Sequence, residues 1–286
     1  MRLTGAGKVG GVAGYPVTHS LSPLLHGHWL QEYDINGAYV PLRIAPEAFT
    51  SVVPALRQAG FSGINVTVPH KEAAFALSDT KSVGARAAGA ANLLIFTDTG
   101  IHAENTDAPG LVGTLSTALG ADGLTGKKAV ILGAGGMARA AVLGLSTLGV
   151  DEIVLIARRP AAAGVLAAAM QPVCTARIQA DGFEGWTKAA ADCALIVNAT
   201  SAGMSGRPPL DLPLMALPPS AAVFDAVYNP LVTPLLAAAA ARGHKTIDGL
   251  WLLLHQAVPS FEALFGVRPD ISPALRRLLE DSLHAA

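Results

Sequence analysis

The tightest constraint on this chain is a glycine turn set between two apolar runs. Ala129-Val-Ile-Leu132 ends in Gly133-Ala-Gly-Gly136, and residues 137–148 follow with a helical rhythm that Gly149 stops. A second apolar run, Glu152-Ile-Val-Leu-Ile156, comes directly after. Strand, turn, helix, strand is a βαβ unit, whose crossover is expected to be right-handed. Two more buried-strand candidates, 194–197 and 222–224, and a helix over 233–242 extend it into a doubly wound parallel sheet.

The first third also alternates strand candidates (10–13, 37–42, 64–68, 92–96) with helix candidates (23–33, 46–59, about 70–77), so it is expected to form its own α/β domain. Gly249 precedes an apolar stretch over 250–265, and Ser272-Pro273 offers an N-cap and a proline at N1 for a last helix. The chain is long enough for two such cores, with 286 residues, 51% of them hydrophobic and 14% charged. That balance excludes disorder. A net charge of -1 gives no footprint for nucleic acid or an anionic membrane. The two cysteines, Cys174 and Cys193, form neither a metal-like spacing nor a disulfide framework. No uncharged run is long enough to span a bilayer, and the first residues lack a signal-peptide core. A soluble cytoplasmic protein without metal is the expectation.

Gly133-Ala134-Gly135-Gly136-Met137-Ala138 fits the dinucleotide pattern G-x-G-x-x-G/A. The first glycine makes the turn, the second admits a pyrophosphate, and small Ala138 lets helix and strand approach. The helix N-terminus then offers free N–H groups to phosphate. An NAD site usually carries an acid about 20 residues on, for the ribose 2′-hydroxyl. This chain has Ala157-Arg158-Arg159 there instead. An acid would repel a 2′-phosphate and arginine would bind it, so NADP is expected.

Several polar segments lie outside that unit. Taken singly they read blandly: Ser22 as a helix cap, Lys71 as a surface lysine, Asn105-Thr-Asp107 as a turn. In order they are Gly14-Tyr-Pro-Val-Thr-His-Ser-Leu-Ser-Pro23, Gly63-Ile-Asn-Val-Thr-Val-Pro-His-Lys-Glu72, Gly89-Ala-Ala-Asn92 and Asn105-Thr-Asp107. Together with the glycine turn, Asn198-Ala-Thr200, 225–228 and 249–256, this series resembles the shikimate dehydrogenase family over nearly the whole chain.

The resemblance implies NADP-dependent, reversible reduction of 3-dehydroshikimate to shikimate, on the route to chorismate and the aromatic amino acids. It implies a substrate domain of residues 1–107 with the C-terminal helices 249–286, and a Rossmann-type NADP domain over 108–248. By matching positions, Ser20 and Ser22 would hold the substrate carboxylate. Thr67, Lys71, Asn92, Asp107 and Gln256 would hold the ring hydroxyls, with Tyr228 beside them. Lys71 and Asp107 would be the catalytic pair. Besides the glycine turn and residues 157–159, the cofactor would meet Asn198, Ala199, Thr200, Ala226 and Gly249. The chemistry suits those residue types, since a ketone reduction needs a hydride and a proton, and an ammonium beside a carboxylate can stabilise the oxyanion and protonate it.

The chain departs from the family in five places. Leu93 and Gly27 replace a usual Thr and Asn, Leu252 and Ala226 replace methionines, and Ala157-Arg158-Arg159 replaces Asn-Arg-Thr or Asn-Arg-Ser. The last change removes a side-chain amide from the adenosine pocket. A quinate or other shikimate-like acid dehydrogenase is the alternative of the same fold. A non-catalytic ligand sensor is the alternative of another class, and it predicts loss of Lys71 or Asp107, both of which are present. The expected partners are small molecules, with the chain a monomer or homodimer.

Overall fold

The computed structural model describes residues 3–285, in two units. The first comprises Met1–Thr106 with Gln256–Ala286, and the second Asp107–His255. In chain order the first contains β1 (Lys8–Gly14), α1 (Ser22–Glu32), β2 (Gly37–Arg43), α2 (Phe49–Gln58), β3 (Phe61–Val66), α3 (Lys71–Leu77), β4 (Thr80–Lys81), α4 (Val83–Ala88), β5 (Leu93–Thr97) and β6 (Gly100–Glu104). The second contains α5 (Asp107–Leu119), β7 (Lys128–Leu132), α6 (Gly136–Thr147), β8 (Glu152–Ile156), α7 (Pro160–Met170), β9 (Arg177–Asp181), α8 (Trp186–Ala190), β10 (Leu195–Asn198), β11 (Ala222–Asp225), α9 (Pro234–Ala241) and β12 (Lys245–Ile247). Helix α10 (Gly249–Phe265) carries the second boundary, and α11 (Pro273–Ala285) closes the chain.

The units divide a little differently from the expected domains, with Asp107 and residues 249–255 in the second unit. Asp107 opens α5, which packs on α6, and Leu252 joins the second unit's core. Gly144 permits that helix pair, because a Cβ there would lie 3.2 Å from the Ala108 carbonyl.

The second sheet runs β12-β11-β10-β7-β8-β9, parallel throughout. Counted within the unit this is 6-5-4-1-2-3, the order of a dinucleotide-binding sheet. Its strands read as continuous apolar runs because both faces are covered. Ala129 and Ile131 point into one core with Leu111, Val142 and Ala163. Val130 and Leu132 point into the other with Trp186, Leu214 and Leu235. The period-two alternation of side chains assigns them.

The first sheet runs β2-β1-β3-β5-β6-β4 and is mixed. β1 pairs in parallel with β2 and β3, whereas β5 is antiparallel to both β3 and β6. Its core sets Ala13, Ile64, Val66 and Leu94 against Phe49 and Val53 of α2 and Ala74 of α3. Strand β3 runs to Val66, and its hydrogen bonding to the β1 side continues to the expected residue 68, through Thr67 N to the Ala13 carbonyl and Tyr15 N to the Val68 carbonyl, beyond which Pro69 has no N–H to offer.

Candidate active site

The strand directions of the first unit bring its polar segments to one edge. β1 and β3 end there, β5 starts there, and β6, antiparallel to β5, ends there. Thr67 follows β3 and extends the pairing, its N–H donating to the Ala13 carbonyl at 2.9 Å. Gly14 lets β1 pass close beneath it, because a Cβ there would sit 2.6 Å from Thr67 Cγ2. Lys71 opens α3, and its carbonyl accepts from Ala91 N at 2.9 Å. His70 anchors the same turn: its Nε2 donates to the Ile44 carbonyl at 2.8 Å while its ring stacks on Phe49.

Asn92 precedes β5 and is buried. Its Oδ1 accepts from Thr106 N at 2.8 Å and its Nδ2 donates to Thr106 Oγ1 at 2.9 Å. Thr106 Oγ1 donates in turn to Gln256 Oε1 at 3.3 Å. Three residues far apart in the chain thus form one cluster, and Asp107 is the next residue along. Ser20 Oγ accepts from Ser22 N at 3.3 Å. Ser22 is not a helix cap. Leu21 holds that position without any side-chain cap, and Ser22 is the first residue of α1.

In the second unit the glycine turn sits at the carboxyl end of β7, where strand order reverses and such sheets bind ligands. Gly133 has φ +114°, and a Cβ there would stand 3.0 Å from Thr200 Cγ2. Gly135 and Gly136 differ: a Cβ on either would meet nothing within 4 Å, so the protein's own packing does not require glycine there. They leave an open cradle at the start of α6, whose first turn has no acid and no side-chain cap. Met137 and buried Ala138 continue that helix. Ala157 is buried after β8, while Arg158 and Arg159 are exposed. This donor set fits a dinucleotide with an extra phosphate.

Beside the cradle, Asn198 and Asp225 end β10 and β11, both fully buried. Asp225 Oδ1 accepts from Asn198 Nδ2 at 2.9 Å and Val227 N at 3.0 Å, and Oδ2 accepts from Thr233 Oγ1 at 2.7 Å. Asn198 Oδ1 takes Thr200 Oγ1 at 2.7 Å. The loops carrying Ala199, Thr200, Ala226 and Tyr228 are therefore tied to one carboxylate. Burial pushes the Asp225 carboxyl up against those three hydrogen bonds, and burial raises the Tyr228 phenol. Gly249 starts α10 with its Cα against the Ala226 carbonyl, where a Cβ would come to 2.5 Å.

Sequence reasoning gave no role to Thr106, Asn65, Tyr39 or Thr233. Asn65 lies within an apolar strand and Asp225 at the end of another; an isolated polar residue in such a run is the signal that finds them. Tyr39 carries no comparable signal. Among the described residues no group of three or more His, Cys, Asp or Glu could hold a metal ion, and no helix is long and apolar enough to cross a membrane.

An α/β sheet of dinucleotide-binding order, joined in one chain to a mixed-sheet unit with a polar strand edge, defines a two-unit nicotinamide-nucleotide dehydrogenase. The substrate-binding domain of shikimate dehydrogenases matches residues 12–94. A shikimate dehydrogenase (NADP(+)) of Acidiphilium cryptum is 49% identical, over 99% of each chain. The chain belongs to the shikimate dehydrogenase family. Its fold is similar to shikimate 5-dehydrogenase of Thermus thermophilus in complex with NADP(H) and shikimate, with TM-score 0.83, 32% identity and 97% and 99% of the two chains covered. It is also similar to quinate dehydrogenase of Corynebacterium glutamicum in complex with NAD, with TM-score 0.87, 28% identity and 97% and 99% covered.

Proposed function

We propose that this protein catalyses the reversible NADP-dependent reduction of 3-dehydroshikimate to shikimate. The observation that carries the reading is the polar edge of the first unit, where Asn92, Thr106 and Gln256 are bonded together and Thr67 and Lys71 follow the neighbouring strand. Ser20 and Ser22 hold the substrate carboxylate, two neutral donors meeting one anion without burying a second charge. Thr67, Asn92 and Gln256 hold ring hydroxyls, with Tyr228 beside them. Gly133 to Ala138 and Asn198 to Thr200, with Ala226 and Gly249, line the nucleotide's seat, and Arg158 and Arg159 take the 2′-phosphate.

The nicotinamide, when bound, supplies the hydride. The chain's own residues do the rest. The Lys71 ammonium stabilises negative charge growing on the carbonyl oxygen and delivers its proton there. The Asp107 carboxylate accepts from a ring hydroxyl and supports the charged lysine. In the oxidative direction the same lysine takes the alcohol proton back.

Fold likeness alone does not separate shikimate from quinate, since a quinate dehydrogenase shares the fold at TM-score 0.87. The absence of an acid after β8 and the two arginines there favour NADP. The test is nicotinamide absorbance with purified protein, shikimate and quinate each against NADP and NAD. The expected result is fastest turnover with shikimate and NADP. Faster turnover with quinate or with NAD overturns the corresponding half of the proposal.

A further inference from the structure

Within the first unit, the hydrogen bonds of the polar edge close into a ring. Asn65 Nδ2 donates to the Asn92 carbonyl at 3.2 Å and to Ser260 Oγ at 2.9 Å. Asn92 Nδ2 donates to Thr106 Oγ1 at 2.9 Å, and Thr106 Oγ1 donates to Gln256 Oε1 at 3.3 Å. The Gln256 carbonyl accepts from Ser260 Oγ at 3.3 Å, which completes the circuit. It joins β3, the residue before β5, the turn after β6 and helix α10. Asn65, Asn92, Thr106 and Ser260 are buried. From outside the ring, the Tyr39 hydroxyl donates to Asn65 Oδ1 at 2.9 Å.

Proton arithmetic fixes which way each amide points. The Asn92 backbone carbonyl can only accept, so the Asn65 nitrogen faces it and the Asn65 oxygen takes the Tyr39 proton. Asn92 Oδ1 accepts from Thr106 N at 2.8 Å, a group that can only donate. The Asn92 nitrogen therefore faces Thr106 Oγ1. That hydroxyl has one proton, and with Asn92 donating to it the proton is spent on Gln256 Oε1. The Gln256 oxygen is thus engaged, and its nitrogen is the end turned away from Thr106. Without that bond, a half-turn about the last torsion of Gln256 would exchange the two ends, since such torsions are broad and two-fold.

We propose that Thr106 is a positioning residue that sets Gln256 as a hydrogen-bond donor toward the substrate ring, while Asn65 and Ser260 hold the two backbones between which it works. This rests on the proposed roles of Asn92 and Gln256 at the ring hydroxyls. The polarity selects substrate, because a ring oxygen at Gln256 must accept there and spend its own proton on another acceptor. A substituent that can only donate, such as an ammonium in place of that hydroxyl, is refused. Mere packing is the competing explanation, since Thr106 is buried and its N–H is bonded as well. Thr106→Val separates the two, because it keeps the branched shape and the backbone bond to Asn92 and removes only the hydroxyl.

The experiment measures both Michaelis constants in wild type, Thr106→Val, Thr106→Ser, Gln256→Ala and the Thr106→Val, Gln256→Ala double variant. One neutral hydrogen bond corresponds to about a 3- to 10-fold change. Thr106→Val is expected to raise the KM for shikimate by about that factor, with kcat falling less and the KM for NADP unchanged. Thr106→Ser, which restores the hydroxyl, is expected to stay near wild type. In the Gln256→Ala background, Thr106→Val is expected to add less than twofold, because Asn92 keeps its bond to Thr106 N. A lower melting temperature with both constants unchanged, a Thr106→Ser variant as impaired as Thr106→Val, or a full independent effect in the Gln256→Ala background overturns the proposal. If Gln256→Ala raises the KM and Thr106→Val does not, positioning alone is overturned. If Gln256→Ala leaves the KM for shikimate unchanged, the hydroxyl role of Gln256 falls and the inference falls with it. Should Thr106→Val not fold, Ser260→Ala opens the ring on the other side of Gln256: a rise in the KM for shikimate that disappears in the Gln256→Ala background supports the proposal, and no rise overturns it.

Discussion

His26 lies wholly inside the first unit, its ring stacked on Tyr39 and edge-on to Trp29, with Nδ1 lacking any hydrogen-bond partner. Burial lowers its pKa from 6.5 to about 3. The folded state therefore keeps it neutral over a range in which the unfolded chain binds a proton, so its contribution to stability is lost as pH falls below 6.5. At pH 5 that loss is about 2 kcal/mol, from roughly 1.5 pH units at about 1.36 kcal/mol each. His26→Phe is expected to shrink the stability difference between pH 7 and pH 5 by about that amount in urea titrations. Using a difference cancels any repacking cost of the larger ring, and an unchanged difference would show that the imidazole titrates normally. Single residues were the least legible scale in the sequence. Lys71, Asn92 and Gln256 stand out only because longer motifs carry them. Ser22, placed before a proline like a cap, is instead the first residue of α1, its N–H donating to Ser20 Oγ at 3.3 Å.

Elements were legible where burial or capping writes a pattern. β7, β8, β10 and β11 read as apolar runs because both of their faces are covered. The last helix reads from its cap, with Leu275 N donating to Ser272 Oγ at 3.1 Å. Helix α5 escaped notice because Pro109, Gly110 and Gly113 give it poor intrinsic propensity, and tertiary packing overrides that. β4 and β6 escaped because one has two residues and the other alternates too briefly around His102. The loop after β8 is the element whose function is most separable from its fold, since Arg158 and Arg159 are exposed and Ala157 is buried. A charged hydrogen bond is worth roughly 1.5–3 kcal/mol, or about 10- to 150-fold in affinity. Arg158→Ala should raise the KM for NADP by that order while barely moving that for NAD. Equal weakening of both cofactors would make the arginine structural and remove the main support for NADP preference.

For the whole molecule, turnover needs both ligands, while each ligand's binding can be followed alone. A ligand that binds only the folded state, present at 100 times its Kd, adds about 2.7 kcal/mol of stability. NADP and shikimate should therefore each raise the melting temperature of the wild-type chain. Lys71 separates binding from chemistry. General acid–base groups typically contribute about 10²–10⁴-fold, so Lys71→Ala should lower kcat by that order. The thermal shift with NADP should persist, because the glycine cradle and the arginines lie in the other unit and are untouched. Asp107→Asn should slow turnover as well and also reduce the thermal shift with shikimate, because it loses a hydroxyl acceptor. Single-turnover mixing of each variant with both ligands checks that the slow step is the transfer itself. Near-normal hydride transfer in Lys71→Ala would mean that water or another group handles the proton, and the assignment of Lys71 as the acid would fall while the binding roles of its neighbours stood.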